Sequence, residues 1–209
     1  KYTGTFGTGC FSFFPTKNIT TTEGGMLTTN DKKIYDYVKK LIAHGIDKNI
    51  KKKFWHRVAV LPGHNFRMPN HLAAIGYSQL KRIEKFNRAR NKIANLYNSE
   101  LSKPFYKINI PYIPKGFTHS YQMYTITVDA RIRDKLLYFL KKNNIEASAH
   151  FDPPLHSQKY LKKYYKKKLP VTEKLSKEII TLPIFPDMTK KEIFYVIKCI
   201  KKFYKINNL

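Results

Sequence analysis

The chain has 209 residues, of which 42% are hydrophobic and 14% aromatic, so it can bury a core and does not have the composition of a disordered protein. No stretch approaches the apolar length of a membrane span, and the opening residues lack the pattern of a signal peptide. The two cysteines, Cys10 and Cys199, are far apart in sequence and argue for a reducing, cytoplasmic location. No cluster of Cys and His has zinc-ligand spacing, so we predict no metal site.

The formal charge of +26 raises the possibility of a nucleic-acid-binding protein. Only seven of the 40 basic residues are Arg, however, and the sequence is rich in Lys throughout. The runs Lys51–Lys53 and Lys162–Lys168 lie beside helix-like segments, where lysines usually form solvated faces, and no nucleic-acid motif accompanies them. We therefore expect nonspecific attraction to anions and no specific nucleic-acid partner.

The sequence first predicts a strand and a hairpin. Residues 5–14 are rich in Phe and are typical of a buried strand that ends at Pro15. Residues 18–29 predict a short hairpin with Gly24-Gly25 at its turn.

Two helices are expected to follow. Asn30 can cap a helix over residues 31–43, and His44-Gly45 would end it. Residues 46–68 have no sustained periodicity, and a long ordered loop of this kind is uncommon unless it is functional. From Pro69 to about Leu101 the apolar spacing predicts one long helix.

The remaining residues predict strands that alternate with helices. The Pro-containing segment 103–117 indicates a domain boundary, which gives domains 1–103 and 104–209. The second domain is expected to contain a strand at 121–128, helices at 131–142, 157–165 and 171–179, a short strand near 145–149, an apolar segment at 180–185 and a last helix that opens with the capping box Thr189–Glu192. This order indicates the α/β class, with a small C-terminal α/β domain.

The segment Phe11–Asn18, followed by Glu23–Met26, carries the clearest chemical signal. It places Lys17 just after an aromatic strand, where a partly dry setting favours the neutral amine that can form an imine with an aldehyde. Ser12 and Thr16 supply hydroxyl groups that suit a phosphate oxygen. From the residues alone, an ordinary surface lysine remains the simpler interpretation.

The same segment resembles the cofactor-lysine motif of the DegT/DnrJ/StrS-type nucleotide-sugar aminotransferases, which belong to the fold type I enzymes that depend on pyridoxal 5'-phosphate (PLP). In that family the segment is approximately S-F-x-P-x-K-N, followed by a G-[DE]-G-G turn. The matching residues, in order, are Ser12, Phe13, Pro15, Lys17, Asn18, Glu23, Gly24 and Gly25. Thr22 stands where the first Gly is usual, so we expect a less tightly bent turn.

Further segments match in sequence order, so that the resemblance spans essentially the whole chain. They are Ala43-His44-Gly45, Asn65-Phe66-Arg67-Met68 with Ala73–Gly76 and Gln79-Leu80, His119–Tyr124, and Leu182-Pro183 with Pro186. The resemblance implies an α/β fold: the C-terminal part of the fold type I PLP-dependent transferase large domain over residues 1–103, and a small C-terminal α/β domain over 104–209.

The resemblance also implies a cofactor and roles for particular residues. Lys17 would form the imine with PLP and, once displaced by substrate, act as general base and acid. Ser12 would bind the cofactor phosphate, and Asn65 would reach the phosphate of the neighbouring subunit in a homodimer. The residues expected near the subunit interface or the substrate are Arg67, His44, His119 and His150. For the three histidines, packing or surface roles stay open.

The implied reaction passes an amino group from glutamate or glutamine to a keto sugar nucleotide in the biosynthesis of surface polysaccharides or related sugars. Two departures leave the sugar open: Gln122 replaces a His of the H-x-Y-H strand, and Phe151 stands where an H-Y pair is usual. A dehydratase subgroup has His in place of the imine-forming Lys, and Lys17 argues against that subgroup.

Part of the family's machinery is not found in these residues. The acidic partner of the pyridine nitrogen, the ring-stacking aromatic residue and the phosphate-binding turn come from the family's N-terminal half. We therefore expect a fragment that is inactive alone or needs that half as a separate polypeptide. The alternatives are an inactive truncated remnant and a basic protein that binds anions or nucleic acid.

Overall fold

The computed structural model describes residues 2, 4–50, 53–165 and 167–208. The chain divides into two compact units, Lys1–Ile83 and Glu84–Leu209. The helix over residues 83–101, expected in the first domain, contributes Ile93, Tyr97 and Leu101 to the hydrophobic core of the second unit. The domain boundary at 103/104 stays a prediction for the whole protein.

The first unit begins with two short antiparallel strands. Strand β1 (Gly9–Ser12) pairs with β2 (Gly25–Thr28), and Gly9 lies opposite Thr28. The hairpin predicted over 18–29 is therefore wrong, because the partner of β2 is β1 and residues 13–24 form the loop between them. The glycines at 24 and 25 end that loop instead of forming a tight turn. The first strand is also shorter than the predicted 5–14.

Helix α1 (Lys32–Leu41) is capped by Asp31, whose carboxylate accepts the backbone N–H groups of Lys33 and Ile34. The sequence placed the cap at Asn30, one residue too early. At the other end, the N–H of Gly45 donates to the carbonyl of Lys40 at 2.9 Å. The helix ends at Leu41, with Ile42 as its C-cap, which is earlier than the predicted residue 43. The first left-handed residue after it is His44, with φ 61°, and Gly45 follows with φ 70°.

Residues 46–50 and 53–68 fold back along the end of α1. Strand β3 (Ile46–Asp47) pairs with β4 (Val58–Ala59), and an isolated bridge joins Ala43 to Asn65. The sequence of this segment has no sustained apolar periodicity because each of its strands is only two residues long. It brings residues 64–67 back to the end of α1.

The long helix expected over 69–101 is interrupted. Helix α2 (Asn70–Leu80) ends before α3 (Ile83–Leu101) begins. The N–H of Arg82 bonds to the carbonyl of Gln79 at 2.9 Å, a tightened turn that closes α2. Residues 81–82 are Lys and Arg, and the apolar spacing continues across them, so no local signal predicts the break.

The second unit is built around one antiparallel strand pair. Strand β5 (Tyr124–Thr127) pairs with β6 (Ile179–Leu182), with Tyr124 opposite Leu182. The helices that follow α3 are α4 (Ala130–Lys142), α5 (Pro170–Glu178) and α6 (Lys190–Ile206). The core includes the fully buried side chains of Tyr97, Tyr124, Leu136, Leu140, Ile180 and Ile200.

Two predicted elements of this unit take other forms. The strand expected near 145–149 is a single bridge between Ser148 and Thr181. The helix expected over 157–165 is replaced by two 3-10 turns, Leu155–Ser157 and Leu161–Lys163. Repulsion between Lys159, Lys162 and Lys163, which would be neighbours on one face of a helix, opposes a continuous helix there. The capping box of Thr189 and Glu192 is confirmed.

The two units differ sharply in burial. Among the described residues of the first unit, only Gly9, Ile19, Thr21 and Gly45 are buried. Its exposed large apolar side chains include Phe11, Met26, Leu27, Trp55, Phe66 and Ile75. The second unit holds nearly all of the buried hydrophobic core.

Candidate active site

Lys17 lies in the loop that joins β1 to β2. Its own N–H donates to the carbonyl of Phe14 at 3.0 Å, and the loop is closed by the bonds from Phe13 N–H to Gly24 and from Thr21 N–H to Phe13. The residue is half-buried. Within the described part of the chain, none of the ion pairs involves Lys17. The loop therefore presents an amine that no carboxylate of these residues neutralises.

Ser12 ends β1 close to the same loop. Its Oγ accepts the N–H of Phe14 at 3.3 Å, and the residue is exposed. A hydroxyl that accepts one hydrogen bond still has its proton to donate. Ser12 can therefore donate to a phosphate oxygen while it stabilises the start of the lysine loop.

The turn at Thr22 keeps the conformation that glycine would adopt. Thr22 has φ 65°, in the left-handed region, and its N–H donates to Thr20 Oγ1 at 2.9 Å. The expectation of a less tightly bent turn than in the family stays a prediction. The β-branched side chain is accommodated in a strained backbone that costs about 1–2 kcal/mol.

His44, Asn65 and Arg67 form a small polar cluster in the first unit. The Nε of Arg67 donates to Asn65 Oδ1 at 3.2 Å, and an Arg67 terminal nitrogen lies 3.5 Å from His44 Nε2. The His44 N–H donates to the His64 carbonyl at 2.9 Å, which holds the two segments together. All three side chains are exposed. The cluster offers hydrogen-bond donors and a guanidinium charge to an anion such as a phosphate.

His119 lines a cavity in the second unit. Its Nδ1 accepts the N–H of Tyr121 at 2.9 Å, and its ring packs against that of Tyr121 at 4.4 Å. The cavity measures about 350 Å³, and its lining includes His119, Ser120, Gln122 and Met123. Gln122, which departs from the family pattern, thus lines the same cavity as His119.

His150 has close hydroxyl partners. Its Nδ1 lies 3.1 Å from Ser148 Oγ and 3.0 Å from Thr181 Oγ1. These contacts join the segment before the Pro153-Pro154 loop to β6, which is the role of a packing residue. His150 and His119 therefore have separate surroundings within the second unit.

The contacts of Gln79 and Glu173 were not predicted from the sequence. The side chain of Gln79 bonds to both backbone groups of Thr20, with distances of 3.0 and 2.9 Å. The Glu173 carboxylate accepts the N–H of Leu169, and its Oε1 lies 3.3 Å from His156 Nε2. The bond from Leu169, followed by the one from His156, lowers the pKa of the Glu173 carboxyl. The only signal for Gln79 was its place in the Q-L match, which assigned it no role.

Comparison with known proteins decides which family these residues belong to. The model of the DegT/DnrJ/EryC1/StrS aminotransferase family matches residues 1–201. The chain belongs to this family. Its members are PLP-dependent enzymes of fold type I, so the family and fold class that the motifs indicated are confirmed.

The similar proteins include sugar aminotransferases. GDP-perosamine synthase of Escherichia coli O157:H7 is 35% identical over 210 residues, which cover 98% of this chain and 54% of the relative. GDP-perosamine synthase of Vibrio cholerae is 34% identical over 208 residues, or 98% of this chain and 55% of the relative. The aminotransferase TlmJ from Streptoalloteichus hindustanus superposes with a TM-score of 0.89 at 26% identity, over 99% of this chain and 54% of that one.

The chain thus spans about half the length of the curated relatives it matches.

Within the described residues, no helix has both the length and the apolar character that a membrane crossing requires. In the same part of the chain, no three His, Cys, Asp or Glu side chains come together as metal ligands would.

Proposed function

We propose that this chain carries the cofactor lysine of an aminotransferase that transfers an amino group from glutamate or glutamine to a keto sugar nucleotide. The observation that carries the proposal is Lys17, which lies half-buried in a closed loop at the family's motif position. The two GDP-perosamine synthases among the relatives favour a nucleotide-linked amino sugar as the product. Surface-polysaccharide biosynthesis is the corresponding pathway class.

The residues of the first unit fit PLP. When bound, PLP supplies an aldehyde and an electron-withdrawing ring that stabilises negative charge at the reacting carbon. Lys17 Nζ would attach to the aldehyde carbon and, when released, hold and return the proton that moves during transfer. The Ser12 hydroxyl would donate to a phosphate oxygen.

Asn65 and Arg67 would serve the cofactor phosphate of a neighbouring subunit. Both belong to the exposed polar cluster with His44, which is suited to an anion brought by another chain. We therefore propose a homodimer in which each subunit contributes this cluster to its partner's site. His44 would then lie beside the substrate or the phosphate.

For the substrate, the cavity beside His119 is the stronger candidate in the second unit. His119 and Gln122 would hydrogen-bond hydroxyl groups of the sugar or its nucleotide, because both line the cavity. The family resemblance also implies a place for His150 near the substrate. Its contacts with Ser148 and Thr181 favour a packing role.

Activity is proposed to need the rest of the family's length, in the same polypeptide or in a second one. The chain covers about half of its relatives, and the first unit exposes large apolar side chains of both β1 and β2. Phe11 and Met26 lie opposite each other in the strand pair, and exposed apolar side chains grouped in this way are typical of a face that another polypeptide covers. A cytoplasmic location is proposed with this function, as for an enzyme of soluble substrates.

Chemical fixation of PLP tests the assignment of Lys17. The chain would be mixed with PLP, treated with borohydride and digested, and the modified lysines would be located by mass spectrometry. We expect Lys17 to be modified faster than Lys33, an exposed lysine of α1, and the chain alone to bind less than one equivalent. Equal modification of Lys17 and Lys33 would contradict the assignment.

The alternatives give different results in the same preparation. A basic protein that binds nucleic acid would show strongly salt-dependent binding to DNA that Lys17→Ala leaves unchanged. An inactive remnant would show no preference for Lys17, even when the missing part of the family's length is supplied. Membership in an aminotransferase family argues against the nucleic-acid alternative.

A further inference from the structure

The position of Lys17 depends on a loop that has little regular structure of its own. Residues 13–24 lie between β1 and β2 without helix or strand. Their internal backbone bonds include those from Phe13 to Gly24, from Thr21 to Phe13 and from Lys17 to Phe14. These bonds shape the loop, and a contact from another element holds it against the rest of the unit.

Helix α2 supplies that element through Gln79. The backbone N–H of Thr20 donates to Gln79 Oε1 at 3.0 Å, and Gln79 Nε2 donates to the Thr20 carbonyl at 2.9 Å. One carboxamide thus satisfies both backbone groups of a residue three positions after Lys17. Thr20 and Gln79 are both half-buried, where water weakens such paired bonds less than it does on an exposed surface.

A second contact on the same face of α2 reinforces this arrangement. Thr21 is 1% exposed, and a Cβ added at Gly76 would lie 2.7 Å from Thr21 Cγ2. Gly76 and Gln79 are three residues apart, so they face the same side of the helix. Close approach at Gly76 lets the carboxamide of Gln79 reach the loop.

We propose that Gln79 is a positioning residue for Lys17, holding the lysine loop on α2 through the backbone of Thr20. This inference rests on the proposed function of Lys17. Loss of the paired bonds frees the Thr20 peptide groups and lets the loop move. The amine of Lys17 is then less often in its reactive position, while the chemistry of the amine itself is unchanged.

Competitive fixation of PLP tests the proposal in the full 209-residue chain. The rate of modification at Lys17 is divided by the rate at Lys33 in the same digest, for the wild type, Gln79→Met and Gln79→Glu. We expect Gln79→Met to lower this ratio about tenfold, since small misplacements of a reacting group have large effects. Gln79→Glu keeps an acceptor for Thr20 N–H and should give an intermediate ratio.

A matched variant and a local readout separate positioning from general stability. Gln158→Met removes a similar side-chain bond, to the carbonyl of Pro153 in the second unit, and should leave the ratio unchanged. Hydrogen exchange at the Thr20 amide should be faster in Gln79→Met than in the wild type. If Gln79→Met does not fold, the ratio of modification rates in Gln79→Glu tests the proposal.

The possible outcomes are distinguishable. A wild-type ratio near one, both in the chain alone and when the missing part of the family's length is supplied, means that Lys17 is not the cofactor lysine, and the proposed function fails. A high wild-type ratio that Gln79→Met lowers, or that Gln79→Glu lowers when the first variant does not fold, supports the role of Gln79. A high wild-type ratio that both folded variants retain overturns this inference and leaves the proposed function standing.

Discussion

The backbones of Gly45 and Gly63 pass so closely that a Cβ on Gly63 would lie 1.9 Å from the Gly45 nitrogen. Gly63→Ala must therefore move the segment that carries Asn65 and Arg67. We expect a loss of about 2 kcal/mol or more in the free energy of unfolding of the first unit. Faster hydrogen exchange at the His64 amide, which bonds to Leu41, would report the displacement. Gly7→Ala is the control, because a Cβ there meets nothing within 4 Å.

Arg90 stabilises the second unit from within its core. It is 7% exposed, and one guanidinium nitrogen donates to the carbonyls of Tyr121 at 3.1 Å and Ile184 at 2.8 Å. Arg90→Met leaves both carbonyls unsatisfied, at a cost of about 2–4 kcal/mol in urea unfolding. Arg88→Met changes an exposed arginine of the same helix, paired with Glu84, and should cost less than about 0.5 kcal/mol. Equal effects of the two variants would refute this role for Arg90.

Acid is expected to destabilise the second unit partly through Asp129. The side chain and N–H of Arg131 lower the pKa of Asp129 from 3.8 to about 2. A carboxyl with a lowered folded pKa stabilises the fold above its unfolded pKa, and the contribution is lost as pH falls through the folded value. Asp129→Asn, which can still cap α4, should lose less thermal stability than the wild type between about pH 5 and pH 2.

The control for this pH dependence is Asp187→Asn, which changes an exposed carboxylate elsewhere in the second unit. Its melting temperature should fall with acid as the wild type's does. An acid-induced fall in Asp129→Asn as large as that of the wild type would show that the pair with Arg131 contributes nothing.

Relief of strain at Thr22 should stabilise the first unit. The residue has φ 65°, and Thr22→Gly removes the clash of a Cβ in this region while it adds flexibility to the unfolded chain. We expect a net gain of about 0.5–1 kcal/mol in unfolding measurements. Thr28→Gly, in the exposed strand β2, should instead destabilise. A loss of stability in Thr22→Gly would mean that the bond from the Thr22 hydroxyl to the Thr21 carbonyl contributes more than the backbone strain costs.

Local signals predicted the elements whose ends carry their own chemistry. Helix α6 begins at its capping box, and α5 begins at Pro170 with acidic Glu173 in its first turn. No local signal indicates the break after Leu80, because the apolar spacing of α2 continues into α3. Asn30 and Asp31 are both good caps, and only the bonds to Lys33 and Ile34 distinguish them.

The candidate site was predictable where it is continuous in sequence. Ser12 and Lys17 lie in one motif, so their proximity followed from the chain. The bonds between Thr20 and Gln79 join residues 59 positions apart, and no local pattern specifies such a pair. The Asn65 and Arg67 contacts likewise depend on how residues 46–68 return to α1.

The central claim is that Lys17 both attaches the cofactor and moves the proton. Its most direct test is the transfer of ¹⁵N from labelled glutamate to a keto sugar nucleotide, measured on an assembly of the family's full length with Lys17 or Lys17→Arg. We expect turnover to fall by about 10²–10⁴-fold in the variant, since a guanidinium does not give up its proton. Undiminished transfer by Lys17→Arg would contradict the account.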